Sequence, residues 1–218
     1  SDIGVMVRDE AYDDFLGLVF EDYKIPYFHD SKRKGVHHPL AELVRSAIGA
    51  VAGWRYEEMF RCLKTGFFDA SRQQIDLLEN YVLEFGIRGS RWYQEEAWQY
   101  RRGEGEYALP DEETLAKIDL LRQRVAAPLT HLQQALKEAA DVQAMTLAIY
   151  DFLIELDVPG TLANWTEEAE KNGRLAEARE HEQIWQQIME LFEQFVELSG
   201  KEKISRRDYK AMLEDGLD

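Results

Sequence analysis

Residues 37–92 read HHPLAELVRSAIGAVAGWRYEEMFRCLKTGFFDASRQQIDLLENYVLEFGIRGSRW, and three helical patterns follow one another inside this stretch. Leu40, Leu43, Val44 and Ile48 share one helical face; Tyr56, Met59, Phe60 and Leu63 share a second; Ile75, Leu78, Val82 and Phe85 repeat the spacing. Steps of three and four residues place side chains on one side of a 3.6-residue helix, so each segment carries an apolar stripe that another element has to cover. His38-Pro39 caps and starts the first helix, because proline is favoured in the first turn. Ser71-Arg72-Gln73-Gln74 is a capping-box pattern for the third, and Gly86 closes it, since glycine adopts the left-handed conformation without strain.

Working outward, the same period runs to the C-terminal end. Residues 103–110 (GEGEYALP) read as a loop, and Asp111 is the N-cap of a helix whose stripe is Leu115, Ile118, Leu121 and Val125. Pro128 interrupts or kinks it, and Leu129, Leu132 and Leu136 resume the period. Val142, Met145, Ile149, Phe152, Leu153 and Leu156 give another buried helix, which Pro159-Gly160 is expected to end. Residues 161–199 form the longest helical tract, faced by Ile184, Ile188, Leu191, Phe192, Phe195 and Leu198, with a break at Asn172-Gly173. Ser205-Arg206-Arg207-Asp208 caps a last short helix. Toward the N-terminal end, residues 3–7 and 25–28 are short apolar runs that read as strands, with a helix bearing Tyr12, Phe15, Leu18 and Val19 between them. The fold class expected is therefore mainly α, with a short β-α-β start over residues 1–36 and a multi-helix domain over 37–218.

Composition narrows the function classes. A chain of 218 residues with 45% hydrophobic and 11% aromatic residues has enough apolar surface for a real core, which excludes a disordered segment. The formal charge is −16, from 42 acidic and 26 basic residues, and a surface of that sign repels phosphate at long range. DNA contact would then have to come from a local basic cluster or from parts of a larger protein. Cys62 is the one cysteine, so an intrachain disulfide and a cluster held by several thiolates are both excluded. No charged-then-apolar leader opens the chain, and no apolar run approaches the roughly 18–20 residues a membrane span needs. A cytoplasmic protein without membrane contact is expected.

Several of these motifs carry a family likeness. "HHPL", "WRYEEMFRCLKTG" and "LLENYVLEFGIRGSRW" resemble the helicase-like region of the AddB family, the B components of the bacterial AddAB (RexAB) helicase–nucleases. "IGVMVRD" and "YKIPYF" look like the start of the second RecA-like domain (2A) of superfamily 1 helicases, and "YKAMLEDGL" looks like the return from an insertion into it. The resemblance implies a fragment: the start of domain 2A over residues 1–36, then the 2B insertion. It also implies a parent that pairs with an AddA-type helicase–nuclease subunit and resects DNA ends for homologous recombination. ATP, Mg2+ and a [4Fe-4S] cluster belong to that parent, and no cofactor is expected in this segment. In superfamily 1 helicases the strand end resembling "VMVRD" carries an arginine that reaches the ATP phosphates beside an aromatic that stacks on adenine. Arg8 matches the arginine as a nucleotide-binding candidate, while Val7 stands where the ring would be. Without the family, Arg8 is a strand-end arginine whose ordinary role is a surface ion pair.

The most nucleic-acid-like composition lies farther on, where Arg88, Arg91, Arg101 and Arg102 interleave with Trp92, Tyr93, Trp98 and Tyr100. Cations along a phosphate track with aromatic platforms for bases are what single-strand binding requires, which makes Arg88, Arg91, Trp92, Arg101 and Arg102 candidate DNA contacts. Tryptophans at such spacing serve equally as core, and Glu95 and Glu96 dilute the charge, so the packing reading stands beside the binding one. The basic loop 31–35 (SKRKG) is either a phosphate contact or a solvated turn. No GxxxxGK[ST] loop occurs, and no set of carboxylates and lysine gathers into a nuclease centre, so no catalytic or metal residue is expected in this chain. Two roles follow. One is a non-catalytic segment that shapes the DNA path or docks other domains; the other is a helical protein–protein docking module without direct DNA contact.

Overall fold

The computed structural model describes residues 38–103 and 110–217, together with Val19, Phe20 and Tyr23. The chain divides into two compact units, residues 1–34 and 35–218, and the helices below belong to the second. They are α1 (Pro39–Gly53), α2 (Tyr56–Leu63), α3 (Arg72–Phe85), a 3-10 turn (Gly89–Trp92), α4 (Glu112–Glu138), α5 (Val142–Glu155), α6 (Val158–Lys171), α7 (Leu175–Ser199) and α8 (Arg206–Leu217).

Helix α1 is the axis of this unit, packing against α2, α4, α7 and α8. Its sequence explains why so many neighbours fit. Leu40, Leu43, Val44 and Ile48 supply one stripe with the small Ala47 inside it, while Ala41, Ser46 and Ala50 are small and buried at its flanks, which lets partner helices approach closely. The buried Ser46 hydroxyl donates to the Glu42 carbonyl at 2.6 Å, so this polar group inside the bundle is satisfied. Helices α6 and α7 pack side by side, α5 packs on α4 and α7, and α3 lies on α4.

The helix ends follow the sequence chemistry closely. His38 caps α1 by accepting the Leu40 amide, with Pro39 in the first turn. Ser71 and Gln74 make the reciprocal capping box of α3, at 3.3 Å and 2.8 Å, and Gly86 closes that helix at φ +58°. The Asp111 carboxylate takes the Thr114 amide at 2.7 Å, and Ser205 takes that of Asp208 at 3.2 Å. The break expected at Asn172-Gly173 separates α6 from α7.

Three expectations are corrected. The mainly α fold with a β-α-β start gives way to an all-α one: no strand occurs among the described residues, and Val19 and Phe20 are helical. Runs of four or five apolar residues do not distinguish a strand from a buried helical turn, which is why that pattern misleads. The segments 3–7 and 25–28 themselves lie outside the described residues, as do Arg8, Val7 and the basic loop 31–35. Pro128 does not interrupt its helix; α4 runs through it from Glu112 to Glu138 with the ring buried. Pro159-Gly160 does not end a helix but opens α6, where the missing N–H of proline is one of the unpaired first-turn donors anyway. A Cβ at Gly160 would meet the carboxylate of the exposed Asp157, which would have to swing aside.

Candidate nucleic-acid interface

The arginine–aromatic segment 88–102 has little regular structure, so its shape depends on side chains that pin it to the helices. Trp98 is the centre of this arrangement. Its ring is fully buried, stacks on Tyr81 of α3 at 5.5 Å between centroids, and meets Trp92 edge-on at 5.4 Å. Its indole N–H donates to the Arg91 carbonyl at 2.7 Å, and its backbone N–H donates to Asp119 of α4 at 2.9 Å. The Tyr81 hydroxyl donates to the Tyr100 carbonyl and accepts the Tyr100 amide, each at 3.0 Å. Burial pushes the Tyr81 phenol up to about 12, so it stays protonated and keeps both bonds.

Beneath the segment lies a charge pair that the apolar pattern conceals. Arg122 is 2% exposed; its Nε donates to Asp119 at 2.8 Å, and its Nη1 donates to the carbonyls of Trp92 at 3.0 Å and Gln94 at 2.9 Å. The guanidinium also lies 5.3 Å from the Trp98 ring centre, on the electron-rich face where a cation is attracted. Asp119 accepts further from Gln123 Nε2 at 2.8 Å. Both charges are thereby paired and hydrogen-bonded, the condition under which ionised groups are tolerated inside a protein. They act as a clamp that fixes two carbonyls and one amide of the segment to α4.

This clamp sorts the candidate residues. Trp92 is 0% exposed and packs on Phe60 and Trp98, so its ring is core and is not displayed to a base. Arg88 and Arg91 are exposed, with the Arg91 guanidinium 5.5 Å over the Tyr100 ring. Arg101 is half-buried and lies 3.8 Å from Glu112; Arg102 is exposed and lies 3.6 Å from Glu84. The four arginines are thus held on one pinned segment, but two of them already face carboxylates. Tyr93, 43% exposed and packed on Trp54, is the ring of this segment open to solvent. Sequence reasoning missed Asp119 and Arg122. Their signal was present: opposite charges three residues apart, in register with Leu115, Ile118 and Val125 on the buried face of α4.

A second polar site joins α1 to α7. His38 Nδ1 accepts the Leu40 amide at 3.0 Å, so its proton sits on Nε2, which donates to His181 Nδ1 at 2.9 Å. His181 Nε2 in turn faces Glu177, 3.6 Å away. Burial first, and the neighbouring His181 second, lower the His38 pKa from 6.5 to about 4. Between those values the unfolded chain takes up a proton that the folded chain refuses, so stability is lost as pH falls through that window. Melting temperature measured from pH 7 to pH 4 is expected to fall less steeply for His38→Asn, which keeps a capping oxygen but does not titrate. Parallel curves for the two proteins would contradict this assignment.

No group of three or more His, Cys, Asp or Glu side chains among the described residues is placed to hold a metal ion. Cys62 is buried and its thiol is pushed up to about 12 by burial, so it is not a thiolate nucleophile. None of the described helices is long and apolar enough to cross a membrane.

Comparison with known proteins identifies the family. No protein-family model matches the chain. A protein of Desulforudis audaxviator, named as the B component of an ATP-dependent helicase/deoxyribonuclease (AddB), is 42% identical over 231 aligned residues, covering 100% of this chain and 20% of that protein. The chain belongs to the AddB family. An AddB of Heliobacterium modesticaldum is 42% identical with 18% of its length covered, and one of Bacillus cereus is 40% identical with 20% covered. The chain therefore spans about a fifth of the length of the curated AddB relatives it matches. The match includes the whole arginine–aromatic segment and the α4 charge pair, since all of this chain is aligned.

Proposed function

We propose that this chain is a non-catalytic segment of an AddB protein that shapes the path of DNA and docks neighbouring domains. The parent would work with an AddA-type partner on double-strand ends destined for recombination, drawing on ATP, Mg2+ and a [4Fe-4S] cluster held outside this segment. One observation carries the DNA half of the reading. The Asp119–Arg122 clamp makes a rigid platform of residues 88–102 and leaves Arg88 and Arg91 exposed on it, in a chain whose net charge is strongly acidic. The clamp fixes the backbone that carries these two arginines, so their charges are presented together to a phosphate backbone.

Alanine at Arg88, Arg91, Arg101 and Arg102 together is expected to weaken DNA binding by full-length AddB and to flatten its dependence on salt. The pairs to Glu84 and Glu112 make Arg88 and Arg91 the larger contributors. Equal affinity of the two proteins at low salt would sink the DNA half of the reading.

A specific observation also favours the docking role. Helix α5 buries one apolar face and exposes another, with Leu147 56%, Tyr150 37% and Ile154 44% accessible at helical spacing. Beside it, Met189, Phe192 and Val196 of α7 help line a cleft of about 570 Å3. Contiguous exposed apolar surface of this kind marks interaction sites.

A further inference from the structure

A second group of arginines without ion pairs among the described residues lies outside the segment the sequence singles out. At the junction of the C-terminal end of α1 with the start of α8, a cavity of about 460 Å3 is lined by Arg55, Arg206, Arg207 and Lys210, with Glu58 as its one carboxylate. Lys210 lies 4.0 Å from Glu58 and 3.6 Å from Glu214, so its charge is answered. Arg55, Arg206 and Arg207 are exposed and make no ion pair among the described residues. In a chain of net charge −16 with 42 acidic side chains available, three neighbouring arginines without a carboxylate partner are an arrangement that costs self-repulsion. The fold places them. Arg206 and Arg207 open α8 behind the Ser205 cap, where unpaired backbone N–H groups add to the positive field. Arg55 folds back along the end of α1, its Cγ and Nε each 3.5 Å from the position a Cβ on Gly53 would take.

The cavity also connects with the segment described above. Gly89 donates its amide to the Trp54 carbonyl at 3.2 Å, so Arg55 and Arg88, the residues flanking that bond in the two stretches of chain, start from adjoining backbone. Arg206 and Arg207, then Arg55, then Arg88 form a sequence of exposed cations that make no ion pair of their own among the described residues, with the Lys210–Glu58 pair in the same cavity lining.

We propose that the cavity between α1 and α8 is a phosphate site for the DNA backbone, and that it is one end of a basic track leading through Arg55 to Arg88. Guanidinium groups suit this role because they present several N–H donors in a plane to the oxygens of a phosphate. The inference rests on the reading that this segment meets DNA. It deepens that reading by naming a second contact region, which shares no residue with the arginine–aromatic segment.

The test uses full-length AddB and a fluorescent duplex with a single-stranded tail, titrated across a salt series, for the unaltered protein and for two double variants. Arg206→Ala with Arg207→Ala is expected to weaken binding and to reduce the slope of log affinity against log salt by about 2, roughly one per lost phosphate contact. Both side chains are exposed, so the melting temperature should be unchanged, and circular dichroism checks that the variant is folded. If this variant binds as the unaltered protein does while Arg88→Ala with Arg91→Ala binds more weakly, the phosphate site is overturned and the DNA reading stands. If neither double variant changes affinity or slope, both fall, and the arginines of α8 are left as a contact for an acidic protein surface.

Discussion

Replacing Arg122 with alanine is expected to destabilise the fold by about 3–5 kcal/mol, because it strands a buried carboxylate. Asp119 is 6% exposed and would keep the Trp98 amide and the Gln123 side chain as donors while losing its one countercharge. The carbonyls of Trp92 and Gln94 would lose their donor at the same time. Denaturant unfolding measures the loss, and a cost below about 1 kcal/mol would mean that the pair is not the buried clamp described. Combining Arg122→Met with Asp119→Leu is expected to cost less than the sum of the single changes, since no unpaired charge then remains. The local consequence is as informative as the global one. With the clamp gone, the Trp98 amide should exchange with solvent faster than the helical amides of α4, reporting a segment 88–102 that has come loose.

The second large effect is at the tryptophans. Trp92→Ala is expected to cost about 3–5 kcal/mol, the range for removing a large buried aromatic and leaving a cavity. Its ring is 0% exposed and packs on both Phe60 and Trp98, so the surrounding side chains have little room to collapse inward. Phenylalanine at the same position should cost far less, because the Trp92 indole N–H is buried without a hydrogen-bond partner and its removal relieves an unmet donor. The same conservative change at Trp98 should cost more than at Trp92. It deletes the bond to the Arg91 carbonyl and weakens the stacking surface under Arg122. A thermal melt of Trp92→Ala that matches the unaltered protein would place that ring at the surface and make it a candidate base platform again.

These two sites show what the sequence makes legible and what it hides. The stripes of α1, α2 and α3 follow the 3.6-residue period, and their members are buried or packed on the core as their spacing requires. The caps at His38, Ser71, Asp111 and Ser205 are readable because each joins a side chain to an amide only two or three residues away. Pro159 misleads because proline at a helix start and proline after a helix end look alike in sequence; which it is depends on where the preceding helix runs out. The candidate site is harder to read for a different reason. Aromatic and arginine residues between 88 and 102 have the same composition whether they pack or bind, and only the burial of Trp92 and Trp98 against the exposure of Arg88 and Arg91 separates the roles. The partners that decide this, Asp119 and Arg122, lie twenty or more residues from Trp98 and Trp92, beyond the reach of local pattern. The cavity at α8 brings Arg55 to Arg206 and Arg207 across most of the chain, and nothing in the spacing of those residues announces it.

The central claim is that this acidic segment carries a true phosphate-contacting surface. The most direct measurement is the affinity of the 218-residue chain itself for a fluorescent duplex with a single-stranded tail, repeated from low to physiological salt. Binding at low salt that falls steeply as salt rises is the predicted result, the signature of counterion release by a local cationic track. Absence of binding at low salt would contradict it and would leave the exposed face of α5 and its cleft with α7 as the working surface, in a module that docks protein instead of DNA.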